Sequence, residues 1–412
     1  MLKKIDLRLI IICSVAASVG LSMALISIIK FILIIYGLIA ILFRKLKVKE
    51  EITSIYFFTP VTVLTIIFVF SISLFWTVAP QIDAIGSIAK YGKLLVIILI
   101  PALIRNHRDA MYALASFALA QLFLMLSSWM LFFQLPIPWA TSNMALTQYA
   151  VFSSYLDQGI ISAVFAFICW HLRSLITWQY GKPIFIIIAL AALLNVLFVL
   201  NGRTGHVIAI ALISISIMWE LPKKYRTLII VIPFLLTAIL LFSSSKLYNR
   251  LSLVKTEVQS YSVETSTTSS SGIRLGLWSN SIQMIAEHPI VGSGIGSWSS
   301  EYNRLQRQIN PLHSDIKGNF NPHQEYLLWG VQLGSIGLIL IGGLFFSILL
   351  DSRKMEKHYS NALQSTLIAL AISCLFNSSI YDALIGDFFC VTIGMLLALG
   401  LNKTPLISKP IV

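Results

Sequence analysis

Charge is what this chain has least of: 11% of its 412 residues are Asp, Glu, Lys or Arg, against 57% that are hydrophobic. Soluble domains carry roughly twice that charge, so no water-soluble core could hide this much apolar surface, and the bilayer has to be part of the solvent. Cysteine is scarce as well. Cys13, Cys169, Cys374 and Cys390 all fall inside apolar runs and share no metal-ligand spacing, which excludes a disulfide scaffold. The alternating short segments of a transmembrane barrel are missing. So is a small-residue cleavage pattern after the first apolar run, which is therefore expected to be retained although Lys3, Lys4 and Arg8 precede it. Neither an Asp-x-Asp pair nor a sizeable cytoplasmic domain is present to support a nucleotide-sugar transferase.

What the chain does have is unbroken apolar runs near the ~20 residues of a spanning helix. They fall at 9–22, 24–43, 59–76, 86–104, 111–133, 159–172, 184–200, 205–220, 227–243, 325–350, 362–377 and 388–402. The fold class is accordingly all-α, a polytopic transmembrane bundle of about twelve helices. Basic residues give an independent check, because they collect on short cytoplasmic loops. With the N-terminus inside, nineteen of the thirty Lys and Arg lie in inner segments, and only Lys90, Lys93 and Arg203 mark short outer ones. The net charge of +13 is thus topological, and no nucleic-acid partner is expected. Lys30 is the obvious charge inside a run.

One outer segment, 244–322, far exceeds an ordinary connection and divides the chain into helices one to nine (1–243), a large outer loop and helices ten to twelve (323–412). Its polar tract at 262–272 reads as a hinge, and 274–287 as an amphipathic helix ended by Pro289.

Three polar constellations fall on the outer side. Asn201-Gly202-Arg203-Thr204-Gly205 puts a guanidinium, a planar fork for phosphate oxygens, beside a helix N-terminus, unless it is an interfacial anchor. Arg274 opens the predicted amphipathic helix, followed by His288-Pro289-Ile290-Val291-Gly292-Ser293-Gly294; these glycines either approach a ligand or merely break a loop. His323, before Gln324-Glu325-Tyr326, would stand in the first turn of the tenth helix, where the dipole favours a neutral imidazole suited to a general base, or else it caps the helix. Metal ligation by His288, His313 and His323 has only irregular spacing behind it.

The order Arg203, then Arg274 with Trp278 and Pro289-x-x-Gly292-x-Gly294, then His323-x-x-Tyr326-Leu327 with Gly334-x-x-Gly337 resembles the O-antigen ligase and polymerase superfamily. The resemblance covers most of the second half. It implies a metal-independent, inverting glycosyl transfer at the periplasmic face of a bacterial inner membrane, without a cofactor. The donor would be a glycan on undecaprenyl diphosphate, and the acceptor of the ligase branch a sugar hydroxyl of the lipid A core, with membrane lipids around both. His323 would be the base, and Arg203 and Arg274 would bind the diphosphate. Gln324 departs from the Asn that family members often carry after the histidine. Chain length and the single dominant outer loop favour the ligase over the polymerase. A carrier or flippase for a lipid-linked glycan is the alternative of another class, and it would place charges or broken helices near the bilayer midplane.

Overall fold

The computed structural model describes residues 6–43, 58–175, 178–225, 231–233, 235, 237, 270–312, 314–318 and 320–401. Among these, every regular element is helical. In chain order they are α1 (Leu7–Ser18), α2 (Met23–Leu42), α3 (Phe58–Ile72), α4 (Gln81–Leu103), α5 (His107–Phe132), α6 (Tyr155–Leu172), α7 (Gly181–Val199) and α8 (Arg203–Glu220). After the outer loop begins come α9 (Ser270–Glu287) and α10 (Trp298–Ile309), then α11 (Glu325–Ser352), α12 (Lys357–Phe376) and α13 (Ala383–Leu401). Nine of the described helices are long and apolar enough to cross a membrane, and α1 is a shorter apolar one. Eleven of the twelve expected runs thus have their helix. The run 227–243 and the tract 262–272 lie mostly outside the described residues.

Helix starts follow local chemistry. Asn106 and Ser154 accept hydrogen bonds from the backbone N–H of Asp109 (2.9 Å) and Asp157 (3.1 Å), capping α5 and α6 with an acid in each first turn. Within the bundle α13 is central, packed on α4, α12 and α5 with 94% of its apolar window buried. For α2 the figure is 22%, and Ile28, Phe31 and Ile39 project outward, as suits a lipid-facing helix. The Lys30 ammonium on α2 is held by both oxygens of Asp387 on α13, at 2.7 Å each, so this intramembrane charge has its partner.

Contacts between helix ends sort the connections into two sets. Arg8 meets Asp109, Asp351 accepts from the N–H and hydroxyl of Thr59, and Arg173 pairs with Glu220. At the opposite ends, Thr77 meets Ile295, Asn201 meets Gln148, and Asn321 meets Asp382. Among the described residues, the connections joined by these contacts fall into the two sets that the basic-residue count separates.

Helix α11 is broken at Gly334, whose φ of 60° and ψ of −143° leave the helical region. The break exposes backbone groups that lipid could not satisfy. Residues 289–294 supply the partners: Ser293 and Gly294 N–H donate to the Val331 and Gln332 carbonyls (both 2.9 Å), and Ser335 N–H donates to Pro289 O (2.8 Å). Only glycine fits the approach. A Cβ on Gly292 or on Gly334 would lie 2.5 Å from backbone atoms of the opposing segment, and both residues have positive φ. The loop glycines therefore serve protein-to-protein packing, and the two motifs recognised separately in the sequence are the two halves of one joint.

Candidate functional site

The second of those faces collects all three candidate residues. Arg203 is the first residue of α8, as its motif implied, and the N-cap is Gly202. Gly205 lies so close to Gly159 of α6 that a Cβ would stand 2.9 Å from its carbonyl carbon, which draws the start of α8 against Tyr155 and the start of α6. Arg274 departs from expectation. The helix is already formed at Ser270, the first described residue there, so Arg274 lies beyond its first turn and not among free N–H groups. No hydrogen-bond or ion-pair partner of Arg274 is found among the described residues.

His323 also sits one step from its expected place. Gln324, not His323, caps α11 by accepting from Leu327 N–H (2.6 Å), and His323 precedes the cap in the left-handed region with φ 52°. A side chain rarely adopts that conformation, and here the surroundings enforce it. Asn321 Oδ1 accepts from His323 N–H (2.9 Å) and from the Ser378 hydroxyl (2.8 Å), while Trp278 on α9 donates to Pro322 O (3.0 Å). One turn thus ties the amphipathic helix, α11 and the 377–382 connection together. Glu325 completes the tie: wholly buried, it accepts from Ile380 N–H (2.7 Å), Tyr381 N–H (3.1 Å) and Trp329 Nε1–H (2.7 Å). Oε2 holds backbone and Oε1 the Trp329 indole, so both oxygens are engaged, which makes Glu325 a positioning group.

Electrostatics link the three candidates. Burial lowers the pKa of His323, and the Arg274 guanidinium lowers it further. Desolvation beside a cation thus favours the neutral imidazole. Burial likewise lowers the pKa of Arg274, with the Arg203 charge adding to the effect and Tyr155 opposing it. Arg274 lies within electrostatic reach of both Arg203 and His323 although 71 and 49 residues of chain separate them (203 to 274, 274 to 323). Like charges held together in a half-buried place form a site that an anion would relieve.

Sequence reading missed Asp382. Its carboxyl is pushed up to about 6, first by burial and then by the Asp157 charge, against Lys93 and Lys90. Asn321 Nδ2 donates to it at 3.4 Å, which places a carboxyl of raised pKa next to the histidine turn. The available signal was an acid in the short outer connection 377–382. Helix α10 was missed too, although Trp298, Tyr302 and Leu305 recur at helical spacing and two of them are buried. Asn303 and Ser299 on α10 fasten the backbone at 316–320, which leads into the histidine turn. Among the described residues no three His, Cys, Asp or Glu side chains cluster as metal ligands would, and His313 lies outside them.

Fold and site define a polytopic helical membrane protein with a cationic, histidine-bearing site at one membrane face. Residues 187–342, less than half of the chain, match the family model described as O-antigen ligase, so this segment is similar to the O-antigen ligase and polymerase superfamily. The matched segment includes Arg203, Arg274, His323 and the joint between 289–294 and α11. No curated protein matches the chain.

Proposed function

We propose that this protein is an O-antigen ligase, which moves a glycan from undecaprenyl diphosphate to a sugar hydroxyl of the lipid A core at the periplasmic face of the bacterial inner membrane. The observation that carries the reading is the convergence of Arg203 and Arg274 beside a half-buried histidine with a lowered pKa. The acceptor hydroxyl attacks the anomeric carbon opposite the diphosphate, so the new glycosidic bond forms as the C–O bond to phosphate breaks, with inversion. Its proton passes to a ring nitrogen of His323. The departing electron pair stays on the diphosphate, and the two guanidiniums neutralise that growing charge where it develops. Roles divide cleanly: the arginines act on the leaving group, the histidine on the nucleophile, and Glu325 and Asn321 hold the turn.

The test is transfer by the purified protein in lipid, comparing wild type with His323→Ala and His323→Gln at matched donor occupancy. A positioned base contributes roughly 10²–10⁴-fold. Loss of that order with donor binding retained supports the reading, and near-normal turnover in either variant removes His323 as the base. Ligase and polymerase separate in cells lacking the protein: a ligase leaves lipid-linked polymer behind, a polymerase only single repeat units.

A further inference from the structure

We infer that the opposite face of the bundle carries a binding site for an anionic glycerophospholipid, built from two adjoining compartments between α6, α7, α8 and α12. The first is a slot of about 200 Å³, walled by Phe167 and Trp170 of α6, Leu190 and Leu193 of α7, and Ile217 of α8, with Glu220 at its end. The second is a polar pocket of about 280 Å³ that includes Arg173, Lys182, Lys357, His358 and the same Glu220.

Each compartment selects half of such a lipid. Membrane helices pack densely, and water needs two to four polar partners to occupy a cavity. The slot offers almost none, since Ser216 turns to His171 (3.4 Å) and Glu220 is paired. Hydrocarbon fits it. The pocket beyond holds three fixed cations against one carboxylate, a net charge of two, at the face that also carries Arg8 and Lys354. Arg173 forms the seam: it lies over the Trp170 ring at 4.1 Å and bonds Glu220 at 2.7 Å, and the cations offered to a phosphodiester are Lys182 and Lys357, the latter also donating to Trp219 O at 3.5 Å. Basic pockets between helices on the cytoplasmic side suit lipid headgroups. Arg203 and the glycan site lie at the other ends of these helices, so this site is independent of the transfer reaction.

Native mass spectrometry of the full chain in detergent, with phosphatidylglycerol or phosphatidylcholine added, tests the inference. Phosphatidylglycerol should be retained in preference. The double substitution Lys182→Gln and Lys357→Gln should weaken that retention about twenty-five-fold, on the order of fivefold per lysine. Leu190→Trp, at the half-exposed rim of the slot, should weaken it without touching a charge, and Arg108→Gln, on the same face but outside the pocket, should not. Monodispersity and unchanged melting certify that each variant is folded. Equal retention of phosphatidylcholine, wild-type retention by the lysine variant or by Leu190→Trp, or full displacement by glycerol phosphate would each overturn the proposal, the last by reducing the site to one for phosphate alone.

Discussion

Replacing Glu325 by alanine should cost the protein most of its stability. In the folded chain this carboxylate is the acceptor for three buried donors, the N–H groups of Ile380 and Tyr381 and the indole of Trp329, with the Tyr91 hydroxyl at 3.5 Å as a fourth. Tyr91 packs against both Trp329 and Tyr381 beside it, with ring centroids 5.5 Å apart in each pair. Each buried donor left without an acceptor costs ~1–3 kcal/mol, so alanine removes about 3–9 kcal/mol before any cavity is counted. That approaches the ~5–15 kcal/mol that holds a typical protein together. Glutamine keeps one acceptor oxygen and turns an N–H against the remaining donors, so its cost should be near that of one unsatisfied group. Yield and thermal melting of detergent-solubilised protein read the difference: wild type highest, Glu325→Gln lower, Glu325→Ala depleted or unfolded. Glycan transfer should follow the same order, because the His323 turn loses its attachment to the 377–382 connection. A Glu325→Ala protein with normal yield and an unchanged melting midpoint would refute the accounting.

Gly334→Ala should fail to accumulate as folded protein, because its Cβ would meet the Ile290 carbonyl carbon at 2.5 Å from a backbone with φ of 60°; size-exclusion profiles of Gly334→Ala and of Gly342→Ala, which meets nothing within 4 Å, make the comparison. Transfer should depend on neutral His323, whose folded pKa lies below the ordinary histidine value, so activity is full above that value and falls as the pH drops through it. Arg274→Gln removes a cation that lowers that pKa, so the residual activity of the variant should show its acid limb at higher pH; an acid limb at the wild-type position would separate the two residues. Cysteines introduced at Leu312, 91% exposed, and at Lys224 should label oppositely with an impermeant thiol reagent applied to intact cells, and equal labelling would contradict the two-faced arrangement.

Hydropathy was enough to read eleven of the twelve expected runs as helices, because a segment's need to satisfy its backbone in lipid is local and every spanning run must show it. Arg203, Arg274 and His323 were legible as residue types suited to phosphate and to proton transfer, and their order carried the family resemblance. Their proximity was not, since it depends on Gly205 settling against Gly159, on Trp278 reaching Pro322, and on α11 breaking at Gly334 to admit 289–294. Two causes that lower the histidine pKa went unread for the same reason: a helix start can be guessed from sequence, whereas burial beside another element's guanidinium belongs to the tertiary structure. Asp382 and α10 went unread because one was a single acid in a short turn and the other an amphipathic helix with no apolar run to announce it. Long apolar periodicity is a property of a segment and survives without its neighbours; a joint, a shared charge or a wrapped carboxylate exists only once distant segments meet.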